Sequence, residues 1–308
     1  MREGAGQVEA DVTDERTDAG GDDTASVGAG LDALDTPRTS TSEGQGWGRR
    51  LFGQVWPPVL VLVLVVVIWQ ALWAAAFWPE YRLPAPADVW AAIWKITANG
   101  DLLSFLWVSV HRAVIGFVIA VLAAIPLGLL IANFSLVRRG IGPIVSGLQS
   151  LPSVAWVPAA VLWFGLTDTS IYFVVLLGAV PSVANGLVSG MDQIPPILPR
   201  VGKVLGAGRL ASARHILLPA ALPGFLGGLK QGWAFSWRSL MAAELIATSP
   251  ELGVGLGQFL QNGMSLSDMP MVLAGIILIL FVGIGIELLV FRPLERSVLR
   301  ARGLAGSL

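Results

Sequence analysis

From residue 47 onward the apolar positions fall in long unbroken blocks, not at the helical or strand spacing of half-buried elements. Six blocks, at about 57–77, 111–133, 143–164, 171–190, 221–246 and 271–291, approach the roughly 20 residues that cross about 30 Å of hydrocarbon as a helix. Val59 to Ile68 contains only Val, Leu and Ile, which makes the first block the clearest. The third is interrupted by Pro152 and Pro158. Proline in a membrane helix needs neighbours to re-satisfy freed carbonyls, so this block reads either as a broken helix lining a cavity or as a packing kink. No block alternates strictly, which excludes a closed β-barrel. The pattern predicts an all-α membrane protein with six transmembrane helices. A short stretch from Asp88 to Thr97, with Val89, Trp90, Ile93 and Trp94 at helical spacing, predicts a short helix lying on the outer surface.

Composition agrees: 54% of residues are hydrophobic and 13% charged, against about 25% charged in an ordinary soluble domain. The net charge of −1 averages two unlike regions. Residues 1–46 carry eleven acids and three arginines, net −8, and residues 47–308 carry seventeen basic and ten acidic groups, net +7. The first region holds too few hydrophobes to offset its ordering entropy and reads as a disordered acidic tail, either a docking tail or an idle extension. It lacks the basic start and early apolar run of a signal peptide.

The positive charges set the expected orientation. With the N-terminus inside, the cytoplasmic flanks carry Arg49, Arg50, Arg138, Arg139, Arg200, Lys203, Arg209, Arg214, Arg292, Arg296, Arg300 and Arg302, while the outer loops carry only Arg82 and Lys95. Six spans return the C-terminus to the inside. The expected location is the plasma membrane, multi-pass, with both termini cytoplasmic.

Between the fourth and fifth blocks, residues 195–219 read PPILPRVGKVLGAGRLASARHILLP. Arg200, Lys203, Arg209 and Arg214 are too many charges for a span. Ile197, Leu198, Val201, Val204, Leu205, Ile216 and Leu217 are too many hydrophobes for a solvated loop. Two short helical patterns separated by Gly206-Ala207-Gly208 form an amphipathic pair that suits a protein partner or, equally, the lipid headgroups.

The spacing from Gly206 to Ile216 and then Leu218-Pro219 resembles the docking loop of permease subunits in ATP-binding-cassette importers. Ile125-Pro126-Leu127-Gly128, Leu151-Pro152-Ser153-Val154-Ala155-Trp156-Val157-Pro158, Trp163-Phe164-Gly165, Leu218-Pro219-Ala220-Ala221-Leu222-Pro223-Gly224 and Ser236-Trp237-Arg238-Ser239-Leu240 are similar to the nitrate/sulfonate/taurine branch. So is Ala242-Ala243-Glu244-Leu245. The likeness spans about 80–300. It departs from the family where Glu-Ala-Ala is usual, since this chain reads Arg200-Val201-Gly202, and at Gly208, where a polar residue is common. The resemblance implies a type I ABC importer permease (MetI-like) architecture. It implies that Arg200, Gly202, Gly206, Ile216, Leu218 and Pro219 contribute to an ATPase-docking loop. The implied partners are two copies of a cytoplasmic ATPase, an extracytoplasmic substrate-binding protein and a second permease chain, the pair forming a homodimer in the lipid membrane. No nucleic-acid partner is expected. ATP would be used by the ATPase, with no cofactor held by this chain, and the cargo would be a small anion such as an aliphatic sulfonate, taurine or nitrate.

Ionisable groups inside spans call for a reason, at roughly 2.5–3.5 kcal/mol each on insertion scales. Arg238, with Trp237 and Glu244, is a candidate for the substrate pathway: a guanidinium suits a sulfonate or nitrate. The alternative is a structural pair, although the spacing of six residues from Arg238 to Glu244 places them on different helix faces. Lys230 is expected to snorkel, His111 and Arg112 to sit at the interface, and Glu287 to pair with Arg292. Small residues four apart (Gly116, Ala120, Ala124, Gly128; Gly186, Gly190; Gly224, Gly228, Gly232) permit close helix approach, either static or gliding.

No P-loop occurs in the sequence, so no ATPase site of that kind is expected and the chain reads as a transport subunit, not an enzyme. Gly206-Ala207-Gly208-Arg209-Leu210-Ala211 fits a loose dinucleotide pattern but lacks its strand and βαβ context. Zero cysteines exclude thiolate metal sites and a cysteine nucleophile, and the two histidines are far apart. The alternative class, an autonomous secondary transporter or intramembrane enzyme, would call for internal repeats or midplane acids, and neither is found.

Overall fold

Helix α1, Trp47–Ala74, carries the Val/Leu/Ile run, and every further element among the described residues is also helical. The computed structural model describes residues 47–249 and 252–300; the expected acidic tail, 1–46, and Arg302 lie outside the described residues. By contact the chain divides at Val65/Val66, and residues 66–308 form the larger unit. That unit contains α2 (Pro86–Ala98), α3 (Asp101–Asn133), α4 (Ser135–Ser150), α5 (Val157–Phe164) and α6 (Asp168–Asp192). It continues with α7 (Ile197–Val204), α8 (Arg209–Ser212), α9 (Leu218–Ile246), α10 (Leu256–Ser265), α11 (Met269–Ile286) and α12 (Arg292–Arg300).

Among the described residues four helical stretches are long and apolar enough to cross a membrane, and five if the bent pair α4–α5 counts as one span. Helix α9 completes the six. Its 29 residues reach about 44 Å at 1.5 Å per residue, but Lys230, Arg238, Glu244 and four glycines lower its hydropathy.

Two expected spans begin well before their apolar blocks. The second begins at Asp101, not near 111, because Leu102–Val110 is apolar enough to continue the helix below His111 and Arg112. The third begins at Ser135; Arg138, Arg139 and two glycines hid its amphipathic first half. Between Ser150 and Ser153 it turns through 96°. Pro152 stands in that turn, while Pro158 falls in the first turn of α5, where its missing N–H costs nothing. The fifth begins at Leu218, within one turn of its expected start. Helix α10 is short and only half apolar, so no hydrophobic block in the sequence predicts it.

Helix α6 is the hub. Ile171, Val174, Val175, Ala179, Val183 and Ala184 are wholly buried between α3 and α9. The small-residue face of α3 (Gly116, Ala120, Ala124, Gly128) lies against it, and a β-carbon on Gly116 would stand 2.9 Å from Val175 Cγ1. On its other side Gly186 and Gly190 meet Gly224 and Gly228 of α9; a β-carbon on Gly228 would stand 2.6 Å from the Gly186 Cα. Here backbone rests on backbone. With no side-chain layer to slide over, α6 and α9 form one packed pair.

The surface helix α2 is capped by the Asp88 carboxylate, which accepts from Ala85 N at 3.2 Å. It buries Val89 against Phe259 and Ala274 while Trp90 and Trp94 face outward.

Candidate functional site

The connection from α6 to α9 folds as the two short helices its sequence predicts. Helix α7 ends in a paired-bond glycine cap: Ala207 N donates to Gly202 O at 2.9 Å and Gly206 N to Lys203 O at 3.1 Å. The cap requires positive φ at Gly206, which is +73°. The chain then forms α8 and a π-helical turn, Ala213–Leu217, that runs directly into α9 at Leu218.

One face of α7 is fixed to this turn. Gly202 is buried, and a β-carbon there would stand 2.5 Å from Ile216 Cδ1. The opposite face is bare: Ile197, Val201, Val204 and Leu205 follow helical spacing and are exposed, Val204 at 87% and Leu205 at 77%. Arg200, Lys203 and Arg214 are exposed around it. Of the six expected docking residues, then, Gly202 and Ile216 touch. Gly206 shapes the cap, Arg200 lies exposed, and Leu218 and Pro219 form the exposed first turn of α9.

At the far end of the same helices lies a buried ion pair. Arg112, expected at an interface, is only 6% exposed, and Glu244 only 2%. Arg112 Nε lies 2.7 Å from Asp168 Oδ1, Nη1 lies 3.3 Å from Glu244 Oε1, and Nη2 donates to the Leu252 carbonyl. Glu244 Oε2 accepts from Ser109 Oγ at 2.7 Å and from Gly257 N at 3.1 Å, while Ser109 Oγ accepts from Leu256 N at 2.8 Å. Gly255 sits so close that a β-carbon would come within 2.7 Å of Glu244 Oε1. These bonds answer the desolvation cost of two buried charges and join α3, α6, α9 and the segment entering α10. Glu244 is the centre of this buried network.

The other two cations on α9 differ from each other. Lys230 does not snorkel alone: its Nζ lies 2.6 Å from Glu287 Oε1 and 3.7 Å from Glu295 Oε2. Glu287 accordingly pairs across to α9, and among the described residues it forms no ion pair with Arg292. Arg238 faces a groove, donating Nε to Ala234 O at 3.1 Å with its guanidinium 5.0 Å from the Phe235 ring centre. Among the described residues it forms no ion pair. Trp237 is buried and stacked on Trp233, ring centres 6.5 Å apart and 16° from parallel.

Residues 124–293, more than half of the chain, match the family described as the binding-protein-dependent transport system inner membrane component. The chain belongs to that family. This permease is 30% identical over 257 residues to the taurine transport system permease protein TauC of Escherichia coli, covering 82% of this chain and 92% of that one. It is 26% identical over 245 residues to the nitrate import permease protein NrtB of Synechococcus elongatus, covering 76% and 86%. Its fold matches a chain of the MetNI methionine ABC transporter, solved in inward-facing conformations, with a TM-score of 0.54 at 20% identity over 64% of this chain and 95% of the other.

Sequence reasoning missed the network of the permease at Ser109, Arg112 and Asp168. A signal was present: Arg112 lies twelve positions into a helix whose flanks are apolar on both sides, and an arginine there implies a carboxylate nearby.

Proposed function

We propose that the chain forms one half of the membrane pathway of an ATP-driven importer for a small oxyanion, working as a homodimer with two cytoplasmic ATPases and an extracytoplasmic binding protein. The single observation that carries the docking assignment is the bare apolar stripe Ile197–Val201–Val204–Leu205, ringed by exposed basic groups, on a helix whose other face is locked to Ile216. An apolar stripe with a charged rim suits a groove in another protein. The excess of basic residues on the same side supports placing this end, and both termini, in the cytoplasm of a plasma-membrane protein. Relatives named for taurine and nitrate transport support an oxyanion cargo.

The mechanism follows from connectivity. The π-helical turn passes without a break into α9, and α9 is packed backbone to backbone on α6. A displacement imposed on α7 by closing ATPases therefore moves α6 and α9 as one body. Rocking of that body exchanges access between the two membrane faces. ATP is consumed in the ATPases; this chain contributes the docking surface, the moving pair and the path.

The test is co-purification. Val204→Asp with Leu205→Asp should release the P-loop ATPase produced with this permease, while leaving membrane insertion intact. Undiminished ATPase binding by that variant would remove the docking assignment.

A further inference from the structure

Three cations lie within the expected spans: Arg112, Lys230 and Arg238. The first is answered by Asp168 and Glu244 and the second by Glu287 and Glu295. Arg238 alone forms no ion pair among the described residues, although it sits on the same helix as Glu244. An uncompensated guanidinium in a membrane helix is costly, and such a group marks a ligand or ion path.

Its surroundings are those of a recognition site. Arg238 lies on the wall of a groove of about 460 Å³ beside the 96° turn between α4 and α5, lined also by Gln149, Ser150, Pro152, Gly178 and Phe235. The bond to Ala234 O uses only Nε, leaving the Nη hydrogens to donate elsewhere. The Phe235 ring holds the guanidinium plane. Gln149 Oε1 accepts from Asn185 Nδ2 at 2.7 Å, which leaves the Gln149 amide NH₂ as a second donor. Arg238 and Gln149 both line the groove, and no carboxylate does.

We propose that Arg238, with the Gln149 amide, forms a binding point for one small oxyanion, a sulfonate or nitrate, at the break of the third span. Planar NO₃⁻ and the SO₃⁻ end of a sulfonate each offer paired oxygens that match the guanidinium fork. Placing cargo here rests on the importer reading above. The geometry of the site does not.

The experiment uses the full-length permease with its ATPase in phosphatidylcholine nanodiscs and 2,2,2-trifluoroethanesulfonate as probe, observed by ¹⁹F line broadening. Wild type should broaden the probe line saturably, with nitrate competing and the neutral trifluoroethanesulfonamide inert. Arg238→Gln should weaken binding about tenfold or more, as loss of a charge-assisted pair implies. Ala242→Leu, which fills the groove wall and keeps the charge, should also weaken it. No saturable binding to wild type, equal binding by Arg238→Gln, or equal binding of the neutral probe would overturn the site. Displacement of the probe on adding phosphatidylglycerol would also overturn it, assigning Arg238 to a lipid headgroup. If the Val204/Leu205 variant keeps its ATPase while Arg238→Gln loses the probe, the docking assignment fails and the anion site stands.

Discussion

Arg112 Nη1 of α3 lies 3.3 Å from Glu244 Oε1 of α9, and both side chains are buried. Two helices distant in sequence are thereby joined, with Asp168 of α6 as the third member. Removing one partner strands a buried charge, whereas removing both relieves the desolvation cost together with the attraction. Arg112→Met and Glu244→Met alone should each destabilise the protein by about 3–5 kcal/mol. The double variant should recover much of that loss. Thermal unfolding in detergent, compared across the four proteins, checks this; additive losses would show that the pair is not coupled.

Two adjacent glycines of α9 should behave oppositely. A β-carbon on Gly228 meets the Gly186 backbone, whereas one on Gly227 meets nothing within 4 Å. Gly228→Ala should force α6 and α9 apart at a cost of about 1–3 kcal/mol, as overpacking does. Gly227→Ala should be neutral or slightly stabilising through helix propensity. Expression level and melting temperature of the two variants distinguish the positions.

Gly206→Asp should abolish uptake while leaving membrane insertion intact. The residue has φ +73°, where an L side chain costs about 1–2 kcal/mol, and it closes the cap that sets the direction of α7. Gly208→Ala, at a position with open space and no positive φ, should be tolerated. Equal transport by both variants would show that the cap does not matter to coupling.

Helix existence was legible because apolar blocks of membrane length leave few alternatives, and the family likeness could be read from the 125–165 and 206–245 stretches. The two-helix form of the loop was equally legible from Gly206-Ala207-Gly208. Where the reading fell short, the determinant was tertiary. Arg138, Arg139, Gly140 and Gly142 hid the start of α4, since hydropathy does not see an amphipathic turn leading into a bent span. The buried place of Arg112 is invisible locally because its partners come from positions 168 and 244, and no local spacing links them. Glu287 finds its partner in Lys230 of α9, 57 positions away, and no local spacing links the two. Gly186 and Gly228 could be seen as small, but not as touching, until the helices were placed.

The most direct test of the central claim uses the absence of cysteine from the sequence, which allows a single thiol to be introduced at Val204→Cys and labelled with a maleimide-benzophenone cross-linker. Irradiation of the assembled transporter should join the permease to its ATPase, with a yield that changes when ATP is added. A thiol at Val204 that labels freely yet never joins the ATPase, with or without ATP, would contradict the account.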